Sequence, residues 1–184
     1  DMALARMMEK KWGAKLGATD WTLLCQRCRE AKEILLESRR AKTDITLLSA
    51  GSSVLKNIKK AELRRTAVVD LLEDGFYPEI PVDAPPPRRQ TGMRQMGLPY
   101  AVDPAITRYL LEFLHQAAKV ANDEEDDHPC MFPERVLFNG GSMKTKFLRR
   151  RILDAIAGWR PDRGQPKELI GEDVSQAVAV GASY

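Results

Sequence analysis

The chain has 184 residues, 43% of them hydrophobic and 30% charged, which is typical of a globular protein with one large core or two smaller ones. Its 29 basic and 26 acidic side chains give a net charge of +3, too balanced to indicate nucleic acid or a membrane as the main partner. With three cysteines, no leader and no apolar run of roughly 20 residues, the sequence predicts a cytoplasmic protein without a disulfide framework.

Two helices are predicted at the start of the chain. Apolar residues at helical spacing define the first, which we expect to end at Gly17: Leu4, Met7, Met8, Trp12 and Leu16. Thr19 is expected to cap the second, whose apolar face comprises Trp21, Leu24, Cys25, Cys28, Ala31 and Leu35. The CxxC spacing is compatible with zinc or a redox pair, but a shared apolar face favours buried core thiols.

A hairpin and a third helix come next. The apolar segments 45–48 and 54–58 flank a turn at 49–53, and a helix is predicted over 60–73. The segment 78–103 is rich in proline and lacks periodicity, so we expect a mobile connector that is dispensable for folding.

A fourth helix is predicted after the cap and first-turn pair Asp103-Pro104. Its expected buried stripe is Ile106, Tyr109, Leu110, Phe113, Leu114 and Ala117.

The acidic run 123–127 is expected to be a solvated loop. His128 and Cys130 make a weak case for zinc, and a final helix is predicted after a capping box at 173–176.

The most informative segment is 136–142, an apolar run that ends in Gly140, Gly141 and Ser142 before a helical pattern over 145–157. It predicts a buried strand, a bare backbone turn and a helix N-terminus whose N–H groups can bind an anion; a purely structural turn is the alternative. It is not the Walker loop, because Met143 stands where that motif has glycine. The nearby basic residues favour a solvated helix face over nucleic-acid contact: Lys144, Lys146, Arg149, Arg150 and Arg151.

The order of elements predicts an α/β fold with an α+β outer unit. Segments 28–35, 136–142 and 176–182 together resemble the DnaK-type (seventy-kilodalton heat-shock) chaperones of the actin-like ATPase superfamily, in a divergent bacterial branch. The resemblance implies an incomplete lobe II of a ribonuclease H-like ATPase domain in a stress-response chaperone. Its outer, nucleotide-exchange subdomain would be 1–77, the extra connector 78–103, and part of the inner subdomain 104–184.

The resemblance also implies a site for the adenosine of ATP or ADP between the two subdomains. The glycine turn would contact ribose and phosphate, Lys144 would stack on adenine, and Lys32 would reach the ribose. The implied nucleotide-binding residues are Arg29, Lys32, Glu33, Gly140, Gly141, Ser142 and Lys144. Departures from the family pattern argue for weakened contacts, and they are Arg29, Leu36, Lys144 and Ser175.

The family's phosphate loops, catalytic lysine and Mg²⁺-binding carboxylates would all precede Asp1. We therefore expect a piece of a longer protein that does not hydrolyse ATP by itself, with Mg²⁺ bound mainly elsewhere. A nucleotide-exchange or co-chaperone protein is the partner expected on the outer subdomain. The alternative is a degenerate actin-like scaffold that acts as a protein-interaction module without nucleotide.

Overall fold

The chain folds as a mixed α/β protein with helices and two small sheets. A computed structural model describes residues 1–48, 58–87, 103–121, 128–169, 171 and 177–183, in two compact units, Asp1–Leu71 and Leu72–Tyr184. The first unit holds α1 (Met2–Trp12), α2 (Ala18–Glu37), β1 (Lys42–Leu48), β2 (Ile58–Arg64) and the start of α3 (Arg65–Gly75). The second holds the end of α3, then α4 (Ile106–Ala121), β3 (Arg135–Leu137), a 3-10 turn (Gly141–Lys144), α5 (Lys146–Trp159), β4 (Lys167–Leu169) and α6 (Ala177–Ala182).

The first two helices form as predicted, but their ends differ. Gly13, with a left-handed φ of 64°, ends α1 in place of Gly17. Gly17 is extended and takes the cap position of α2 that was expected of Thr19. The backbone N–H of Leu16 donates to the carboxylate of Glu9 at 2.7 Å. This carboxylate replaces the backbone carbonyl that would accept the bond if α1 continued to Leu16.

The hairpin of the first unit begins earlier and ends later than predicted, because β1 starts at Lys42 and β2 extends to Arg64. β1 and β2 pair antiparallel, from Lys42 opposite Arg64 to Leu48 opposite Ile58. Residues 60–64, expected to be helical, are therefore strand. Ala61 and Leu63 are buried two positions apart, the spacing of a strand, and β2 packs against α1. The predicted turn at 49–53 lies outside the described residues.

The beginning of the proline-rich segment belongs to the second unit. Backbone carbonyls of residues 77–80 accept three side-chain hydrogen bonds. Tyr77 accepts from Arg151 (3.0 Å), Pro78 from Thr107 (2.9 Å) and Ile80 from Trp159 (2.9 Å). Ile80, Val82 and Ala84 pack against the hydrophobic core of that unit. The prediction of a mobile connector is therefore wrong for 78–84, which belongs to the compact unit Leu72–Tyr184. Residues 88–102 lie outside the described part of the chain.

Helix α4 buries only part of the predicted stripe. Its cap is as expected, because the N–H of Ala105 donates to the Asp103 carboxylate at 2.9 Å. Of the stripe, Leu114 is buried and Leu110 packs against the core, whereas Ile106, Tyr109 and Phe113 are exposed. Thr107 and Leu111, which the stripe omits, are also buried. Apolar side chains occupy both sides of this helix, so their spacing alone does not determine the buried side. Leu111 and Leu114 join Phe138 and Ile156 in the core.

The second sheet consists of β3 and β4, paired in parallel with Val136 opposite Glu168. Strand β3, which was predicted to be buried, is only partly buried, since Leu137 is 53% exposed. The predicted final helix is present as α6, while its capping box at 173–176 and the acidic run at 123–127 lie outside the described residues. In the part of the chain that the structure describes, no helix has the length and apolar character needed to cross a bilayer.

Candidate nucleotide site

The glycine turn links the core of the second unit to α5. Phe138 is buried in the core at the end of β3, and Gly140 follows with φ 92° and ψ 150°. Side chains rarely adopt this φ, so the chain needs glycine at this position. The 3-10 turn is then closed by the N–H of Met143, which donates to the carbonyl of Gly140 at 2.9 Å.

Gly141 borders open space. A Cβ atom at Gly141 would have no neighbour within 4 Å among the described atoms, and Ser142 and Lys144 are exposed beside it. The outer side of the turn is therefore accessible to a ligand. The helix predicted over 145–157 is confirmed as α5 (Lys146–Trp159), with Thr145 at its N-cap, and the 3-10 turn lies between Gly140 and that helix.

The largely covered side chain of Arg149 stabilises the turn through hydrogen bonds to its backbone. Its guanidinium donates to the carbonyls of Met143 (2.7 Å) and Lys144 (2.8 Å) and to the carboxylate of Glu168 on β4 (2.6 Å). The side chain is only 13% exposed, which contradicts its predicted place on a solvated basic face. Sequence spacing gave no signal for this role, because the pairing of β3 with β4 brings Glu168 to Arg149.

Replacing Arg149 by alanine is expected to lower the free energy of unfolding by about 2–3 kcal/mol, because it removes charged hydrogen bonds from a sheltered site. Amide exchange at Met143 should accelerate as the turn loosens. The matched control is Arg150→Ala, since that side chain is 82% exposed and should matter by less than about 0.5 kcal/mol. Equal effects in urea denaturation would contradict the assigned role of Arg149.

The basic cluster around the turn is partly committed to internal contacts. Arg151 donates to Glu79 at 2.7 Å as well as to the Tyr77 carbonyl, and its side chain is mostly covered. Lys144, Lys146 and Arg150 are exposed. The cluster therefore offers fewer cations to solvent than its sequence suggests.

The other predicted residues lie on α2 in the first unit. Arg29 pairs with Glu33 at 3.1 Å on the exposed side of the helix. Lys32 is about a quarter exposed, pairs with the Asp1 carboxylate at 2.7 Å, and has a pKa lowered by burial. Leu36 is buried in the core. Both cations of α2 that the resemblance assigns to nucleotide binding, Arg29 and Lys32, are thus already paired with carboxylates.

The structure brings the predicted residues together as two groups. Arg29, Lys32 and Glu33 belong to the first unit, and residues 140–144 belong to the second. Ser175 lies outside the described residues. Comparison of the chain with protein-family models, curated proteins and solved structures finds no match.

The thiols differ in burial. Cys28 is fully buried as predicted, and burial raises its pKa to about 11. Cys25 is only half-buried, so the prediction of two buried core thiols is confirmed for Cys28 and wrong for Cys25. Cys130 is also buried, with a pKa raised to about 11 by burial. Among the described residues no group of three His, Cys, Asp or Glu side chains is placed to hold a metal ion.

Maleimide labelling of the native protein at pH 8 should modify Cys25 first. Cys28 and Cys130 should react much more slowly, because a pKa of about 11 leaves roughly one thiolate in a thousand at that pH. Denaturant should abolish the difference. Rapid native labelling of Cys28, read out by mass spectrometry, would contradict its burial.

Proposed function

We propose that the chain contributes the adenosine side of a nucleotide site in a DnaK-like, actin-like chaperone ATPase domain. The observation that supports this most is the turn at 140–144. It combines a glycine at positive φ, open space beside Gly141, and a buried arginine that fixes the backbone from behind. A rigid turn without side chains lets a ribose and phosphate approach main-chain atoms closely.

In this proposal Lys144 lies against the adenine. Lys144 is exposed and has no hydrogen bond from its side chain to any described residue, so its ammonium group is available to a base. The phosphates and Mg²⁺ would be bound largely by other parts of the protein, and the chain alone would not hydrolyse ATP.

Titration with ADP, followed by backbone amide shifts in NMR spectra, tests this proposal. We expect weak, millimolar binding, nearly equal for ADP and ATP, with shifts at 140–144. Lys144→Ala should weaken binding by on the order of 1 kcal/mol through the lost contact with the base, and Lys146→Ala, also exposed, is the control. The absence of shifts at millimolar ADP in the folded protein would refute the proposal for this chain.

A protein-interaction module is the second candidate, and the exposed side of α4 favours it. Ile106, Tyr109, Phe113 and Val120 recur on this side at spacings of three, four and seven residues and are all exposed. Apolar residues in such a row are typical of a surface that packs against another protein. Sedimentation experiments at high concentration measure self-association of the chain, which Phe113→Ser should abolish. If it does so and ADP causes no amide shifts, this second function replaces the first.

A further inference from the structure

A concave pocket of about 570 Å³ lies in the first unit, where the C-terminal half of α1 faces β2 and the first turn of α3. Its apolar side chains are Met7, Met8, Leu63 and Ala67, and its charged ones are Lys10, Lys11, Glu62 and Arg64. Met8 and Leu63 are buried beneath it, while Met7 and Ala67 are half-exposed and form its accessible apolar surface.

The charge of this pocket is predominantly positive. Glu62, its one carboxylate, accepts hydrogen bonds from Lys42 (2.6 Å) and Arg64 (3.0 Å), and these bonds lower its pKa. Lys11 donates to the backbone carbonyl of Glu62 at 3.1 Å, which leaves its charge uncompensated. Lys10 has no ion pair with any described residue.

Several charges elsewhere in this unit are paired. Lys60 pairs with Asp44 across the hairpin at 2.9 Å, and Arg29 pairs with Glu33 along α2 at 3.1 Å. The one carboxylate within α1 belongs to Glu9, and it accepts the hydrogen bond from Leu16. The rim of the pocket is therefore a local excess of positive charge around an apolar floor.

We propose that this pocket docks an acidic amphipathic helix of a partner protein. The apolar face of that helix would cover Met7 and Ala67, and its carboxylates would meet Lys10, Lys11 and Arg64. Methionine adapts its shape to such helices, and grooves of this kind bind them through residues one helical turn apart. The aliphatic floor offers no ring on which a nucleic-acid base would stack. The proposal does not depend on nucleotide binding.

Fluorescence anisotropy with a labelled helical peptide of leucine and glutamate tests this docking on the full chain. We expect binding that weakens with salt, and no binding of the same peptide with lysine in place of glutamate. Lys10→Glu combined with Lys11→Glu should weaken binding by about tenfold or more. Arg39→Glu with Arg40→Glu makes the same change in net charge at exposed positions that do not line the pocket, and should change binding by less than about threefold.

Met7→Gln separates the apolar contribution from the charges and should weaken binding by about fivefold. Circular dichroism establishes that each variant is folded. The proposal is overturned if the acidic peptide does not bind, if both double variants lose binding equally, or if Met7→Gln has no effect. Binding of phosphatidylserine vesicles or single-stranded DNA that depends on Lys10 and Lys11 but not on Met7 would identify a general anion surface instead.

Discussion

Leu111→Ala is expected to lower the free energy of unfolding by about 2–5 kcal/mol, the largest effect among these predictions. Leu111 is 1% exposed and lies in the core of the second unit with Leu114, Phe138 and Ile156. Truncation removes buried methyl groups and leaves a cavity that close-packed neighbours fill only partly. Urea denaturation followed by tryptophan fluorescence measures the change, since Trp159 belongs to the same core.

Phe113→Ala is the matched control, because Phe113 lies two positions away on the same helix and is 64% exposed. It removes more carbon atoms than Leu111→Ala but should change stability by less than about 1 kcal/mol. The stripe predicted from sequence includes Phe113 and omits Leu111. If Phe113→Ala proves the more destabilising variant, α4 buries its other face.

Gly141→Val is expected to abolish ADP binding and to leave the fold almost intact. A Cβ atom at this position would have no described atom within 4 Å, so a side chain is expected to fit in the free protein. It would fill the space that a ribose or phosphate needs beside the backbone. Amide shifts during ADP titration measure the loss, and thermal unfolding should show nearly the same midpoint as the unmodified chain.

Gly140→Val is the contrasting variant. A branched residue at φ 92° strains the backbone and should cost on the order of 1–3 kcal/mol of stability, with or without nucleotide. The pair distinguishes a ligand site from a structural turn. If Gly141→Val destabilises the free protein as much as Gly140→Val, or still binds ADP, the turn is structural and the proposed adenosine contact is wrong.

Local sequence signals located most elements of this protein. The glycine turn, the helix after Asp103 and the α2 face containing Leu24, Cys28 and Leu35 all follow from residues within one or two turns of each other. Such features depend on backbone freedom, capping and helical periodicity, which act over short stretches of chain. The mixed α/β class followed from the order of these elements.

Long-range contacts decided what the sequence by itself left open. The strand at Ile58–Arg64 exists because β1 supplies its partner, although its residues also suit a helix. α4 has apolar residues on two sides, and the core containing Phe138 and Ile156 determines which side is buried. Arg149 contacts the carbonyls of Met143 and Lys144 locally, but its ion pair with Glu168 depends on the pairing of β3 with β4. The sequence by itself located the glycine turn and most of the helices; tertiary packing decided which faces are buried and which charges are paired, because burial and ion pairing join residues far apart in the chain.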